Sequence, residues 1–347
     1  MSTSVTNYDL HGLVTLQVID NTAYGVSPLA DPFPTFQVEA LPDIPDITLA
    51  LGHFEPKPED CYLVDHSYHV RQSYLYCKDS WRNFRWQVEI EGFEQGPTTI
   101  RLNMRGGGLR SVLLPGFYSG MLLTRQVLAR KLHERGCVLA HAAGAVRDGR
   151  AVVLFGRGGA YKTSVLMSLL RTGDDWRALG DDGVILKGTQ ALSFPIYPGL
   201  FAYRMAHNEN ETLRVFDRMR HMLNPSAVEN AAGLYADHAE TAALVEMRAG
   251  GVEAVKIEKV PLAENLKAMQ NGMSLEAHNS VNIGFNDIYP RYVEAYSYIF
   301  PQNSMQTTQE VGVELASIPA YRVTLPSKPG REDLQKAAAF LKNIMGA

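Results

Sequence analysis

The chain has 347 residues, 46% of them hydrophobic, and a formal net charge of −4. That is ample apolar material for a core and more chain than one minimal domain needs, so two domains are expected. The mildly acidic balance gives no reason to expect nucleic acid or an anionic membrane as partner. No run approaches the roughly 18 apolar residues of a membrane span.

Residues 1–110 read as strands and turns. Leu13 to Ile19 (LVTLQVI) alternates in part, and prolines punctuate 31–34 and 41–45. Asp60 to Cys77 is rich in Tyr and Val, Trp86 to Ile90 (WQVEI) alternates cleanly, and Thr98 to Met104 (TTIRLNM) does so again. The pattern predicts a small antiparallel β domain. Tyr68, Tyr74, Tyr76, Trp81, Phe84 and Trp86 are expected to fill its core rather than form a docking surface. Arg105 to Arg110 (RGGGLR) reads as a turn or hinge, and separates an N-terminal domain, 1–110, from a second domain, 111–347. A helix is predicted from Phe117 to Arg135, with Phe117, Met121, Leu128 and Leu132 near one face and Gly136 as its stop. Its basic residues, Lys131 and Arg135 among them, suit the helix end and are expected on a solvated face.

The most informative stretch runs from His141 to Val184, with GRGGAYKT (Gly156 to Thr163) at its centre. This is one residue from the phosphate-loop pattern G-x-x-x-x-G-K-[ST], with Tyr161 standing where the last glycine belongs. The apolar run Ala151 to Phe155 suits a buried strand before the loop, and Thr163 to Arg171 continues as a helix after it. Strand, glycine turn and helix together make a phosphate cradle, because free backbone N–H groups and the positive helix end converge on one anion. The residues expected to hold a nucleotide are Gly156, Arg157, Gly158, Gly159, Ala160, Tyr161, Lys162, Thr163 and Ser164. Lys162 is expected at the β/γ-phosphates, and the Thr163 hydroxyl at Mg²⁺. His141 lies fifteen residues before Gly156, in the strand-like VLAHAAGAV. Asp181 and Asp182 follow WRALG; one carboxylate of such a pair can hold Mg²⁺ while the other takes a hydroxyl proton.

FPIYPGLFAYR follows and ends at Arg204. Glu211 to Leu223 reads as a helix with Arg214, Arg218, Arg220 and His221 on its polar side, a solvated face rather than an acceptor site. Asn230 to Gly251 is small and polar, and is expected to be a mobile loop near the site. Pro261 to Gln270 is a helix candidate, Ile288 to Phe300 an aromatic core helix, and Ile318 to Leu325 a last strand. Arg331 to Met345 closes as an amphipathic helix, with Leu334, Ala338, Leu341 and Met345 on one stripe. The three cysteines, Cys61, Cys77 and Cys137, fit neither a disulfide framework nor a zinc site. With no leader segment in MSTSVTNYDLHG, a reducing, cytoplasmic setting is expected.

The order His141, then Gly156 to Thr163, then Asp181-Asp182, with a strand before each, resembles the HPr kinase/phosphorylase group. Its relatives include lasso-peptide precursor kinases and small-molecule serine kinases. The resemblance is close over Cys137 to about Arg204, faint to about Leu325, and absent over the first hundred residues. It implies an α/β (α+β) fold with a P-loop core like that of phosphoenolpyruvate carboxykinase, behind the antiparallel N-terminal β domain. It also implies ATP and Mg²⁺ as cofactors, a hydroxyl-bearing acceptor, and compatibility with a homo-oligomer. Carried over by residue, Lys162 takes the phosphate role, Thr163 and Asp181 the metal, and Asp182 the base, assisted by His141. Arg204 joins as a contact to the transferring group or the acceptor. Tyr161 is the departure from the pattern.

Two classes of function follow. One is an enzyme that moves the γ-phosphoryl group of ATP to a hydroxyl, expected to be serine, of a protein, peptide or small molecule. The other is a non-catalytic module with a degenerate phosphate loop, binding a nucleotide or a partner as a regulator. Lys162, Thr163, Asp181, Asp182 and His141 favour the first, and Tyr161 the second.

Overall fold

A computed structural model of the chain describes residues 3–22, 33–81, 84–92, 96–106, 124–206, 231, 233–279, 288–301 and 318–346. They form two units, one from Met1–Arg135 and Ala277–Thr307, the other from Gly136–Glu276 and Thr308–Ala347. Each contains a nine-stranded β-sheet, and six α-helices lie among the described residues. The helices are α1 (Thr124–Glu134), α2 (Lys162–Leu170), α3 (Pro198–Ala206), α4 (Leu262–Asn279), α5 (Ile288–Ile299) and α6 (Arg331–Gly346). None of them is long and apolar enough to cross a membrane.

The first unit holds β1 (Ser4–Leu10), β2 (Val14–Asp20), β3 (Gln37–Val38), β4 (Ile47–Leu51), β5 (Tyr62–Val64), β6 (Tyr68–Arg71), β7 (Tyr74–Trp81), β8 (Phe84–Glu91) and β9 (Thr98–Gly106). Their order in the sheet is β3-β1-β2-β4-β9-β8-β7-β6-β5. Alternating burial along β2 and β4 puts Val14, Leu16, Ile47 and Leu49 on one buried face. The expectation of an antiparallel domain is corrected, because β4 runs parallel to both β2 and β9. Long connections separate those neighbours in the chain, which is what parallel pairing requires; the hairpin pairs β1–β2 and β7–β8 are antiparallel. Tyr68, Tyr74, Tyr76 and Trp86 are buried, as expected of a core; the side chains of Trp81 and Phe84 lie outside the described residues.

Helix α1 belongs with this sheet, so the two units divide at Arg135/Gly136. The boundary expected at 110, with Phe117 and Met121, lies outside the described residues. Val127, Leu128 and Leu132 form the buried stripe. Lys131, expected on a solvated face, is instead buried: its ammonium donates to the Gly96 carbonyl at 2.8 Å and pairs with Glu134 at 3.5 Å. A long aliphatic stem covers apolar surface readily when its charged end finds acceptors.

The second unit holds β10 (Cys137–Ala140), β11 (Ala142–Arg147), β12 (Arg150–Phe155), β13 (Arg177–Gly180), β14 (Val184–Lys187), β15 (Gln190–Ser193), β16 (His238–Ala249), β17 (Lys256–Lys259) and β18 (Ala320–Leu325). The main path is β10-β14-β15-β16-β12-β11-β13, with β18 on β16 and β17 on β18. Ala151 to Phe155 are all buried, because both faces of β12 are covered. On one face Val152 and Leu154 meet Val165 and Leu169 of α2 and Leu341 of α6. On the other Val153 and Phe155 meet Val138, Leu186 and Met269, from β10, β14 and α4. Leu334, Ala338, Leu341 and Met345 form the predicted buried stripe of α6.

The loop expected over Asn230 to Gly251 is a second correction, since His238–Ala249 is a twelve-residue strand at the centre of the sheet. Its uninterrupted apolar run is short, and Glu246 and Arg248 break the pattern. The Glu246 charge is accommodated by one partner near in sequence and one far from it: its carboxylate accepts from Arg248 Nε at 2.7 Å and from Arg322 Nε at 2.7 Å. Arg322 also donates to Glu264 at 2.6 Å. The expected helix with Arg214, Arg218, Arg220 and His221 lies outside the described residues.

Removing one partner of a buried ion pair leaves the other charge desolvated and under-compensated; without Arg322, Glu246 would keep the half-exposed Arg248. Arg322→Leu is therefore expected to lower unfolding free energy by about 3 kcal/mol, and the Glu246→Leu/Arg322→Leu double variant by less. Urea unfolding of the two variants checks this, and equal losses would contradict it.

Candidate functional site

Strand direction brings the site together. β11 is antiparallel to β12, so the start of β11 shares an edge with the end of β12, and Ala142 stands opposite Phe155. β13 is antiparallel to β11 in turn, with Gly180 opposite Gly144, so the end of β13 reaches the same edge. Ala140 and Val184 are paired at the end of β10 and the start of β14. His141, the glycine loop and Asp181-Asp182 thus meet at the carboxyl end of β12, the edge at which ligands bind in open α/β sheets. The VLAHAAGAV segment is two strands broken at His141, not one.

The loop's glycines answer to different constraints. A Cβ on Gly156 would lie 2.3 Å from the Met247 carbonyl oxygen, so close passage against β16 excludes any side chain. Gly159 has φ +83°, which favours glycine, and a Cβ on Gly158 or Gly159 would meet nothing within 4 Å. Arg157, Gly158 and Gly159 are exposed, whereas Ala160 is buried beneath them.

Tyr161 caps α2 in the left-handed conformation, φ 62° and ψ 24°. Glycine is usual here for that reason, and a tyrosine holds the same backbone at a cost of roughly 1–2 kcal/mol. Its ring turns toward the segment between β18 and α6, where the hydroxyl donates to the Ser327 carbonyl at 3.0 Å. The Lys162 ammonium folds back inside the loop and donates to the carbonyls of Gly156 at 2.6 Å and Arg157 at 3.4 Å. Thr163 Oγ1 donates to the Asp181 carbonyl at 3.3 Å, tying the start of α2 to the acidic turn; Ser164 follows in the same helical turn, half-buried.

The acidic turn is bracketed by two glycines that nothing larger can replace. A Cβ on Gly180 would approach the Gly183 carbonyl oxygen to 2.1 Å, and one on Gly183 would approach the Phe194 ring to 2.5 Å. A β-bulge between Gly144 and Ala145, opposite Gly180 and Ala178, bends the end of β13. His141 Nδ1 lies 3.1 Å from Asp182 Oδ1, and the half-exposed pair faces solvent at the rim. Asp181 acts on the Tyr235 phenol, whose proton is held well above the ordinary tyrosine range first by burial and then by that charge. Tyr235 carries no local sequence signal; it reaches the site only because its segment runs beside β13. Also missed are Glu246, paired with Phe155 in register, and Arg248, two residues further along β16.

Arg204 is tied through its backbone to the end of α2. Its carbonyl accepts from Arg171 at 3.0 Å, at the end of α2 opposite the glycine loop. The candidate metal donors are hard oxygens: the Thr163 hydroxyl, bonded to the Asp181 backbone carbonyl, and the carboxylates of Asp181 and Asp182. Among the described residues no group of three or more His, Cys, Asp or Glu could hold a metal. Such a sparse oxygen set suits Mg²⁺, which takes one or two carboxylates and completes its shell with phosphate oxygens and water.

Comparison with protein-family models finds no match, and comparison with curated protein sequences finds none either.

Tyr161→Phe removes the contact to Ser327 and nothing else. It is expected to lower stability by about 1 kcal/mol in chemical denaturation; an unchanged midpoint would mean that the hydroxyl does not hold the loop to this segment.

Proposed function

We propose that the chain is an ATP-dependent kinase of the HPr kinase/phosphorylase-like group, its second unit a P-loop core like that of phosphoenolpyruvate carboxykinase. It transfers the γ-phosphoryl group to a hydroxyl, that of serine, on a protein, peptide or small molecule in the cytoplasm. The observation that carries this reading is the meeting of His141, the Gly156–Thr163 loop and Asp181-Asp182 at one sheet edge, around the start of α2.

In this reading the amides of Gly158 to Thr163 and the positive end of α2 bind the triphosphate, with Gly158 and Gly159 giving close access. Lys162 offers its ammonium to the β/γ-phosphates from within the loop, exchanging carbonyl acceptors for phosphate oxygens. Thr163 and Asp181 would hold Mg²⁺, which would neutralise the phosphate charge. Asp182 accepts the proton of the acceptor hydroxyl while His141 Nδ1 orients its carboxylate. The hydroxyl oxygen bonds to the γ-phosphorus, the bond to the β,γ-bridging oxygen breaks, and ADP leaves. Arg204, whose carbonyl is held by Arg171, is the contact to the transferring group or the acceptor. Tyr161 keeps its ring on Ser327, which leaves the inner side of the loop to its backbone amides.

Two variants test the assignment. Lys162→Ala is expected to weaken Mg²⁺-dependent ATP binding by about tenfold or more in calorimetric titration. Asp182→Asn is expected to bind ATP as the wild type does while turnover falls by about a hundredfold or more. Unchanged affinity in a folded Lys162→Ala protein overturns the phosphate loop. ATP binding by the wild type without Mg²⁺-dependent turnover returns the chain to the non-catalytic class.

A further inference from the structure

Tyr235 lies outside every motif in the sequence, yet the fold delivers it to the acidic turn. The segment around it runs alongside β13: Ala178 N–H donates to the Leu234 carbonyl at 2.7 Å, and Ala236 N–H donates to the Ala178 carbonyl at 2.8 Å. Tyr235 is thereby paired in parallel with Ala178, and the next residues along β13 lead to Gly180 and then Asp181. Its ring rests on Phe201 of α3, with centroids 5.7 Å apart, and against the buried cluster beneath α2. The hydroxyl is buried and has no hydrogen-bond partner among the described residues. Asp181 is the charge that acts on it.

A buried hydroxyl without a partner costs stability, and a phenylalanine would fill the same space without that cost. Packing therefore accounts for the ring and not for the oxygen. A carboxylate that turns to hold a cation needs a donor to fix its orientation, and such outer donors matter nearly as much as the ligands themselves. The hydroxyl has the required chemistry, a single O–H on a stiff ring, and its residue is bridged to β13, the strand that leads into Asp181.

We propose that Tyr235 is a positioning residue for Asp181: its O–H donates to the Asp181 carboxylate when that carboxylate holds Mg²⁺ beside the bound nucleotide. This rests on the kinase reading of the site. The phenol stays protonated throughout and takes no part in proton transfer; its role is to make the cation site rigid.

The test compares wild type, Tyr235→Phe, Asp181→Asn and the double variant. Two quantities are read: the thermal midpoint of each protein without ligand, and the Mg²⁺ concentration at which ATP binding is half-maximal by calorimetry. Tyr235→Phe is expected to keep or raise the thermal midpoint, since it removes a buried oxygen that has no partner among the described residues, and to raise the Mg²⁺ requirement by about tenfold. Added to Asp181→Asn, it is expected to change the Mg²⁺ requirement no further, because the two groups act through one interaction. A Mg²⁺ requirement equal to wild type overturns the inference and leaves the kinase reading intact. A lowered midpoint in Tyr235→Phe overturns it too, by making the hydroxyl structural. Wild-type protein that binds no ATP at any Mg²⁺ concentration ends the kinase reading and this inference together.

Discussion

Strand β12 is hydrogen-bonded on both sides, antiparallel to β11 and parallel to β16, and its carboxyl end fixes everything at the candidate site. The end of a central strand cannot shift without breaking both ladders, so the glycine loop leaves the sheet at a set point. β16 enforces this a second time: its Met247 carbonyl approaches Gly156 so closely that the chain must turn there without a side chain. The same ladders place His141 before β11 and the Asp181-Asp182 turn after β13, so the site's geometry follows from sheet pairing rather than from loop contacts.

Around that fixed point the loop is held by its own residues. Lys162 ties its carbonyls together from within, Thr163 ties α2 to the acidic turn, and Tyr161 ties the helix start to Ser327. The tyrosine retains the left-handed backbone that glycine would adopt more cheaply, and its outward hydrogen bond offsets part of that cost. A loop braced in this way has its amides ordered before any anion arrives, which reduces the entropy lost on binding.

Much of this was legible in the sequence where the physics is local. The AVVLF strand, the glycine turn and the helix after it are contiguous and periodic, and the structure has them as read. The same holds for the stripe of α6 and for the alternating strands of the first sheet. The illegible parts depend on partners distant in the chain. β16 carries Glu246 and Arg248 inside its run, and the buried carboxylate there is held by Arg248 together with Arg322, which comes from another strand. The parallel placement of β4 between β2 and β9 has no local signature, because alternation gives a strand's faces and not its neighbours' directions. Lys131 is buried because the Gly96 carbonyl happens to reach it. The Asp181-Asp182 pair is contiguous and visible in the sequence, but the need for Gly180 comes from packing against Gly183 and Phe194. Tyr235 is of the same kind, invisible until its segment is seen beside β13.

The central claim is that the Gly156–Thr163 loop is a phosphate site, with the acidic turn as its catalytic partner. A crystal structure with Mg²⁺ and a non-hydrolysable ATP analogue tests it most directly. The account predicts the phosphates on the amides of Gly158 to Thr163, with the Lys162 ammonium turned from the Gly156 and Arg157 carbonyls to phosphate oxygens. It also predicts the cation between Thr163 and Asp181. Phosphates bound elsewhere on the protein, with Lys162 still on the loop carbonyls, would contradict it.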